Sequence, residues 1–445
     1  MLSKPMQLTI DKLVYGGDGL ARLVADEHGP GKAVFVPFVL AGERVEAQLV
    51  EEKRGFARAR AERILEPSAE RIQPGCRYFE SCGGCHYQHT GYDHQLAIKS
   101  AILRETLRRT AKLDWTGEIQ AHPSQPWGYR NRTRMRLRAE PFVLGYNRFG
   151  SNTLLAVEEC PISSPLINRA IECVWRLGRE GQVAAEVSEM EFFANPEDAA
   201  LVVELTLHAS SNPFQPGSSV ARFAEALRAA LPEVTGIAVF SPTASGALVW
   251  EDVPEGLQPV FGDPALTYNT RSARYRVHAG SFFQTNRFLV DRLVELVTAG
   301  RDGSLALDLY AGVGLFSLML SQSFREVTAV EAAPFAGHDL RHNCPSNVAA
   351  IHSSVEEFLA ALPPQVKYDF VVVDPPRAGL GEKTARQVAA LAAPRLTYVS
   401  CDPATLSRDL RGLLESGYRV DEVHLVDLFP QTFHIESVFH LARQS

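Results

Sequence analysis

The chain has 445 residues, long for one domain, and its 45% hydrophobic and 22% charged content is that of an ordinary globular protein. A formal net charge of −7 excludes blanket affinity for nucleic acid but leaves room for a local basic groove. No stretch approaches the ~18 uninterrupted apolar residues of a membrane helix, and the N-terminus lacks the apolar core of a signal peptide, so a cytoplasmic protein is expected, in which seven cysteines point to metal ligation, catalysis or burial rather than disulfides.

Residues 1–67 alternate short β-rich runs with glycine turns. "QLTIDKLVYGGDGLARL" predicts a strand, a turn at Gly16-Gly17-Asp18-Gly19 and a second strand, and the runs that follow predict a small β-barrel. Residues 68–92 are rich in cysteine and glycine and are expected to be irregular. A helix is predicted over 93–112, with Leu96, Ile102, Leu103 and Leu107 near one face. Alternating apolar and polar runs over 120–264 predict an α+β module, so that 68–264 forms a central domain, with the 93–112 helix free to pack on the next one. From 265 to 445 the apolar strands "SLALDLYAGVGLFSL", "EVTAVEAAP", "YDFVVVDPPRAG", "RLTYVSCDPATLSRDL" and "DEVHLVDLFP" alternate with helical stretches. That pace predicts an α/β, Rossmann-like, doubly wound sheet, closed by "ESVFHLARQ" as a last antiparallel strand.

In "GCRYFESCGGCHYQ", Cys76, Cys82 and Cys85 fall within ten positions, close enough to share a metal or a cluster. Cys160 in "EECPI" is the best fourth ligand. The CxxC pair alone would also suit zinc. Cys173 and Cys344 read as ordinary thiols. In "GYRNRTRMRLRAE", Arg130, Arg132, Arg134, Arg136 and Arg138 recur at period two, which in a strand is one face. Guanidiniums so aligned repel unless an anion meets them, and phosphate is the natural one. Trp127 and Tyr129 just before them are candidate stacking partners for unstacked bases.

In the last domain a strand ends at Asp308 and is followed by Gly312 and Gly314, which let backbone approach a ligand ahead of a helix N-terminus. Glu331 ends the next strand, where an acid meets ribose hydroxyls in nucleotide-binding sheets. Asp374 ends a third, and the two prolines after it take the chain out of the sheet. Together these resemble a class I S-adenosylmethionine-dependent methyltransferase. Arg377 stands where the amino-methylating members carry an aromatic residue.

Cys401 follows the strand "RLTYVS", with Asp402 as a helix N-cap and Pro403 as the first helical residue. A thiol there is expected to gain thiolate character from the helix end, partly opposed by Asp402. A thiolate can add to C6 of a pyrimidine, making C5 nucleophilic enough to take a methyl group. A base must then remove the C5 proton before the thiolate leaves. Glu436 in "FPQTFHIESV" is the candidate base, with His434 in support.

The runs "SCDPATLSRDL", "DPPRAGL", "FPQTFHIESV" and "GSFFQTNRF" resemble the RNA 5-methyluridine (uracil-C5) methyltransferase family. The resemblance implies Cys401 as nucleophile and Glu436 as base. It implies Gln284, Tyr310, Glu331 and Asp374 at the methyl donor, S-adenosyl-L-methionine, beside Asp308, Gly312 and Gly314. It further implies that Cys76, Cys82, Cys85 and Cys160 hold a [4Fe–4S] cluster, and that residues 1–67, with "YGGDGLARL", form a TRAM (OB-like) RNA-binding domain. A radical enzyme is disfavoured, because five residues separate Cys76 from Cys82 where the radical CxxxCxxC motif has three. Leu315, Ser354 and Asp402 depart from the family pattern. Barrel and cluster together resemble the branch acting on 23S ribosomal RNA, since the transfer RNA branch is expected to be shorter and to lack both. A monomer that flips its target uridine out of the stack is expected. The alternatives are the same chemistry on transfer RNA, or a non-catalytic RNA-binding or folding factor.

Overall fold

A computed structural model describes residues 5–23, 31–208, 217–240 and 257–444. Among these, strands Met6–Leu13, Gly19–Arg22, Ala33–Val36, Arg44–Glu52 and Phe56–Glu66 close into a barrel. Alternate residues point inward: Leu8 and Ile10, Val34 and Val36, Val45 and Ala47, Ala57 and Ala59 form its core. Closure leaves no strand edge to be paired. Buried Glu43 fastens the barrel to the segment that follows, accepting from the Leu40 amide (2.8 Å), the Ser68 amide (3.1 Å) and Arg71 Nε (2.6 Å).

The central module is a 7-stranded sheet in which Arg132–Arg138 pairs antiparallel with Val187–Ala194. The helices Pro165–Arg179 and Ser219–Ala230 contribute to its apolar core. Ser164 and Ser218 cap them through their side chains, each accepting a backbone amide in the first turn.

The third module is an 8-stranded sheet. Its strands run in the order Val348–His352, Phe324–Glu331, Gly303–Leu309, Phe370–Val373, Arg395–Ser400, Glu436–Arg443, Tyr418–Val426, Gln120–His122. The first five are mutually parallel, and Glu436–Arg443 lies antiparallel to both its neighbours, as the terminal apolar run predicts. Every parallel strand therefore ends at the same edge, which is where open α/β sheets bind ligands.

The helix predicted over 93–112 packs on the C-terminal sheet, and a strand from the 120s joins that sheet too. Helix Tyr92–Thr106 buries Ile98, Ile102 and Leu103 in the same core as Leu406 and Leu410, and Gln120–His122 is the outermost strand of the catalytic sheet. The helix also differs in its last turn, where Leu107–Ala111 widens to a π-turn before Lys112 enters the left-handed region at φ 57°. That turn buries both Leu107 and Ala111. Lys99, fully buried on this helix, donates to Asp427 Oδ1 (2.6 Å) and to the Phe429 carbonyl (2.9 Å). Such a pair fixes register more than it adds stability, because both charges have left water.

Candidate active site

Cys401 stands one residue beyond strand Arg395–Ser400, at the edge where the strands end at Leu309, Glu331 and Val373. Asp402 caps helix Pro403–Glu415, its Oδ1 accepting from the Ala404 amide (2.9 Å) and the Thr405 amide (3.1 Å). The next strand begins with Glu436, and Ser437 pairs with Ser400, which brings Glu436 to the lip where Cys401 lies. Asp374 follows the strand on the other side.

Three acids thus crowd one thiol. Burial first, then Glu436, Asp374 and Asp402, push the Cys401 thiol up to about 12, against the opposing pull of Arg377. The expectation of thiolate character is therefore corrected: in the free protein the helix end is outweighed and the thiol keeps its proton. Burial and the charge of Asp374 hold Glu436 well above the usual carboxylate range, and burial raises Asp374 to about 7. Two carboxyls so close do not ionise independently. His434, between the rings of Phe429 and Phe433 (centroids 5.5 and 4.3 Å), is lowered to about 4 by burial and then by Arg377, and stays neutral.

The other end of the edge is built around Asp308. It is buried, takes a hydrogen bond from the Ser317 hydroxyl on Oδ2, and leaves Oδ1 without a partner. Burial raises it to about 7. Glu331 accepts the Gly312 amide on Oε2 (2.8 Å) and the Ala333 amide on Oε1 (2.6 Å). Tyr310 occupies the left-handed region at φ 63°, which turns the chain sharply out of the strand. Gly312 opens onto empty space, whereas at Gly314 (φ 89°) a Cβ would come 2.8 Å from Cys344 Sγ. An orphaned carboxylate oxygen and an open glycine cradle fit a ligand with a cationic end and ribose hydroxyls.

Gln284 is buried in the loop before helix Val290–Thr298. Arg132 pins that loop by donating to the Ser281 and Ala279 carbonyls, and Asn131 donates its amide to the Thr285 carbonyl (3.0 Å). Of the departures, Leu315 is buried and offers its carbonyl to Tyr275 (3.0 Å), and Ser354 is a helix N-cap, accepting from the Glu357 amide.

The arginine row is not one uncompensated stripe. Arg130 lies ahead of the strand, in the wall of the cysteine cavity. Arg132 is buried against Glu191, and Arg134 meets Glu191 and Glu204 at 3.1 Å each. Arg136 and Arg138 are exposed and are bonded to Asn147 (2.8 Å) and to the Pro141 carbonyl (3.3 Å). Tyr129 is fully buried with its hydroxyl on the Pro430 carbonyl (2.9 Å), so it cannot serve as a base-stacking platform; Trp127 remains partly exposed.

Cys76, Cys82, Cys85 and Cys160 line one cavity of about 330 Å³, with Arg130 in its wall. Burial first, and then the neighbouring thiols, raise Cys82 to about 11 and Cys85 further. The segment continues into the active site. The His86 and Tyr87 amides donate to the Gln431 carbonyl (2.8 and 3.0 Å), and Gln95 and Gln431 exchange hydrogen bonds (3.0 and 2.9 Å). Gln431, Ser317 and Tyr15, whose hydroxyl lies 3.1 Å from Asp402 Oδ2, escape a reading of local motifs because their partners are distant in sequence or sit in an unremarkable turn.

A parallel sheet with acids at successive strand ends and a glycine turn after the first, here with a thiol on the same edge, is the arrangement of a class I methyltransferase. The model of the family described as tRNA (Uracil-5-)-methyltransferase matches residues 91–444, and that of the TRAM domain matches residues 4–61. The chain belongs to this family of S-adenosyl-L-methionine-dependent RNA uracil-5-methyltransferases and carries a TRAM domain. It is 32% identical to an uncharacterized RNA methyltransferase of Aquifex aeolicus, over 98% of each chain. It is 30% identical to the 23S rRNA (uracil(1939)-C(5))-methyltransferase RlmD of Shewanella piezotolerans, over 98% of this chain and 95% of that one. Its fold matches the crystal structure of Pyrococcus abyssi tRNA (uracil-54, C5)-methyltransferase in complex with S-adenosyl-L-homocysteine, with a TM-score of 0.73 at 24% identity over 98% of this chain and 100% of that one.

Proposed function

We propose that the protein methylates C5 of a specific uridine in 23S ribosomal RNA, through a temporary bond between Cys401 and C6 of the ring. The observation that carries this is the meeting of one thiol and two proton-holding carboxyls, Asp374 and Glu436, beside a cradle suited to the methyl donor. Bound S-adenosyl-L-methionine supplies an electrophilic methyl group, held by Asp308, Glu331, Gln284 and the turn Tyr310–Gly314. With the carboxyl pair ionised, Cys401 passes its proton to Asp374 as its sulfur bonds to C6, and the electron pair displaced onto C5 takes the methyl. Glu436, still unprotonated, then removes the C5 proton, the C5–C6 double bond re-forms, and the leaving sulfur recovers the proton from Asp374 while the one on Glu436 passes to water. The pair suits this exchange because burial raises both carboxyls above the usual carboxylate range, which makes each a better proton acceptor. Arg134, Arg136 and Arg138 face the RNA backbone.

The 23S substrate is supported by full-length relatives named for that activity at 30 and 31% identity. The fold match to a transfer RNA enzyme favours the same chemistry on transfer RNA as a second reading. Mapping of 5-methyluridine in RNA from cells with and without the gene decides between them. Loss of one 23S site is expected; loss confined to transfer RNA contradicts the substrate, and no loss anywhere contradicts the activity.

The four cysteines are assigned to a [4Fe–4S] cluster. They line a common cavity whose wall holds Arg130 and Arg134 beside Glu159, a surplus of positive charge that suits an anionic cluster. Anaerobically purified protein is expected to carry ~4 iron atoms and matching sulfide, both lost in Cys85→Ser. Zinc in place of iron would overturn the assignment.

A further inference from the structure

The barrel reaches into the catalytic centre. Its first turn is closed by the Val14 amide on the Asp18 carbonyl (2.9 Å) and the Gly17 amide on the Val14 carbonyl (3.1 Å). Gly17, at φ 94°, lies against the cysteine segment, where a Cβ would stand 3.1 Å from His86 Cβ. The turn aims Tyr15 at the lip of the nucleophile strand. Its ring meets Phe433 edge-on at 5.5 Å, and its hydroxyl lies 3.1 Å from Asp402 Oδ2 and 3.4 Å from the Cys401 carbonyl.

The two carboxylate oxygens of Asp402 have different duties. Oδ1 is occupied by the helix cap, while Oδ2 is faced by the Tyr15 hydroxyl and by Arg377 Nε at 3.4 Å. We propose that Tyr15 is a positioning residue for methyl transfer, reaching from the barrel to hold Asp402 and screen its charge from Cys401. This rests on the reading of Cys401 as the nucleophile.

The groups facing Cys401 are Glu436, Asp374 and Asp402, which oppose loss of its proton, and Arg377, which favours it. Glu436 and Asp374 are needed for proton transfer, whereas the charge of Asp402 caps the helix and pairs with Arg377 and takes no part in it. A hydroxyl donated to that carboxylate draws its charge away from the sulfur. Burial, and then Asp402 itself, hold the Tyr15 hydroxyl far above its ordinary range, so it stays a donor at every working pH. Without the hydroxyl, only Arg377 at 3.4 Å offsets the charge on Oδ2, and the thiol becomes harder to ionise. With asparagine at 402 there is no charge to screen, and the hydroxyl becomes dispensable.

The test compares Tyr15→Phe, Asp402→Asn and the double variant, with thermal midpoints as a check on folding. Alkylation of Cys401 by iodoacetamide is followed against pH on the peptide that contains it, without RNA, alongside steady-state methyl transfer. Tyr15→Phe is expected to slow alkylation roughly three- to tenfold at any pH below the thiol pKa, equivalent to a shift of up to ~1 unit. It should lower kcat in proportion and change KM for RNA less than about twofold, because the contact acts on the sulfur. In the Asp402→Asn background the same change at 15 is expected to have no effect on alkylation. An unshifted profile in Tyr15→Phe, or an equal shift with Asn at 402, overturns the proposal. A wild-type protein inactive on all RNA overturns the proposed function instead, while the alkylation arm still decides the role of Tyr15.

Discussion

Cys401→Ala is expected to lose methyl transfer by roughly 10⁴-fold or more, because removing a covalent nucleophile removes the reaction path itself. Among the described residues, the acids beside it are Glu436, Asp374 and Asp402, and a carboxylate is a far weaker nucleophile toward C6 than a thiolate. Truncating the side chain leaves the fold intact on physical grounds, since Cys401 lies past the strand end and its sulfur makes no hydrogen bond that organises the Asp402 cap. RNA affinity and methyl-donor affinity should therefore stay within a few-fold of wild type, as measured by filter binding and calorimetry. Methyl transfer at the wild-type rate would remove Cys401 from the mechanism, and loss of donor binding would reassign it to the cradle.

Glu436→Gln is expected to behave in the opposite sense: chemistry begins and cannot finish. Glutamine is nearly isosteric, but it takes no proton, and a general base contributes about 10²–10⁴-fold to proton transfer. The sulfur–C6 bond and the new methyl–C5 bond form, the C5 proton stays, and the enzyme remains attached to its RNA. A band of protein and RNA combined should survive denaturing electrophoresis, should require the methyl donor, and should be absent in the Cys401→Ala/Glu436→Gln double variant. Full turnover with no trapped band would take the base role away from Glu436. A trapped band formed without donor would show that addition precedes methyl transfer as a separate, stable step.

Much of the site is legible in the sequence because its acids and thiol sit at strand ends, and strand ends are marked by the change from apolar runs to glycine, proline and capping residues. Asp308, Glu331, Asp374 and Cys401 each follow or close a run of that kind, and the parallel sheet brings those ends to one edge. What periodicity cannot supply is the neighbour on the next strand. The arginines at period two do share a face from 132 to 138, yet Glu191 and Glu204, which neutralise two of them, lie on other strands of the central sheet. The helix that predicts thiolate character for Cys401 is a local feature, whereas its proton is held by burial first and then by Glu436 and Asp374, which arrive from the two adjacent strands. Tyr15 is 386 residues from Cys401 in the chain and lies in an ordinary glycine turn, so no motif could have joined them. The helix Tyr92–Thr106 lies among the central residues in chain order, but its apolar face packs in the core of the C-terminal sheet, the option its spacing leaves open.

The central claim, that a uridine C5 hydrogen is exchanged for a methyl group, is tested most directly with target RNA carrying tritium at C5 of its uridines and a carbon-labelled methyl donor. The account predicts one tritium released to water for each methyl transferred, both absent in Cys401→Ala. Methyl incorporation with all tritium retained would place the methyl on another atom and contradict it.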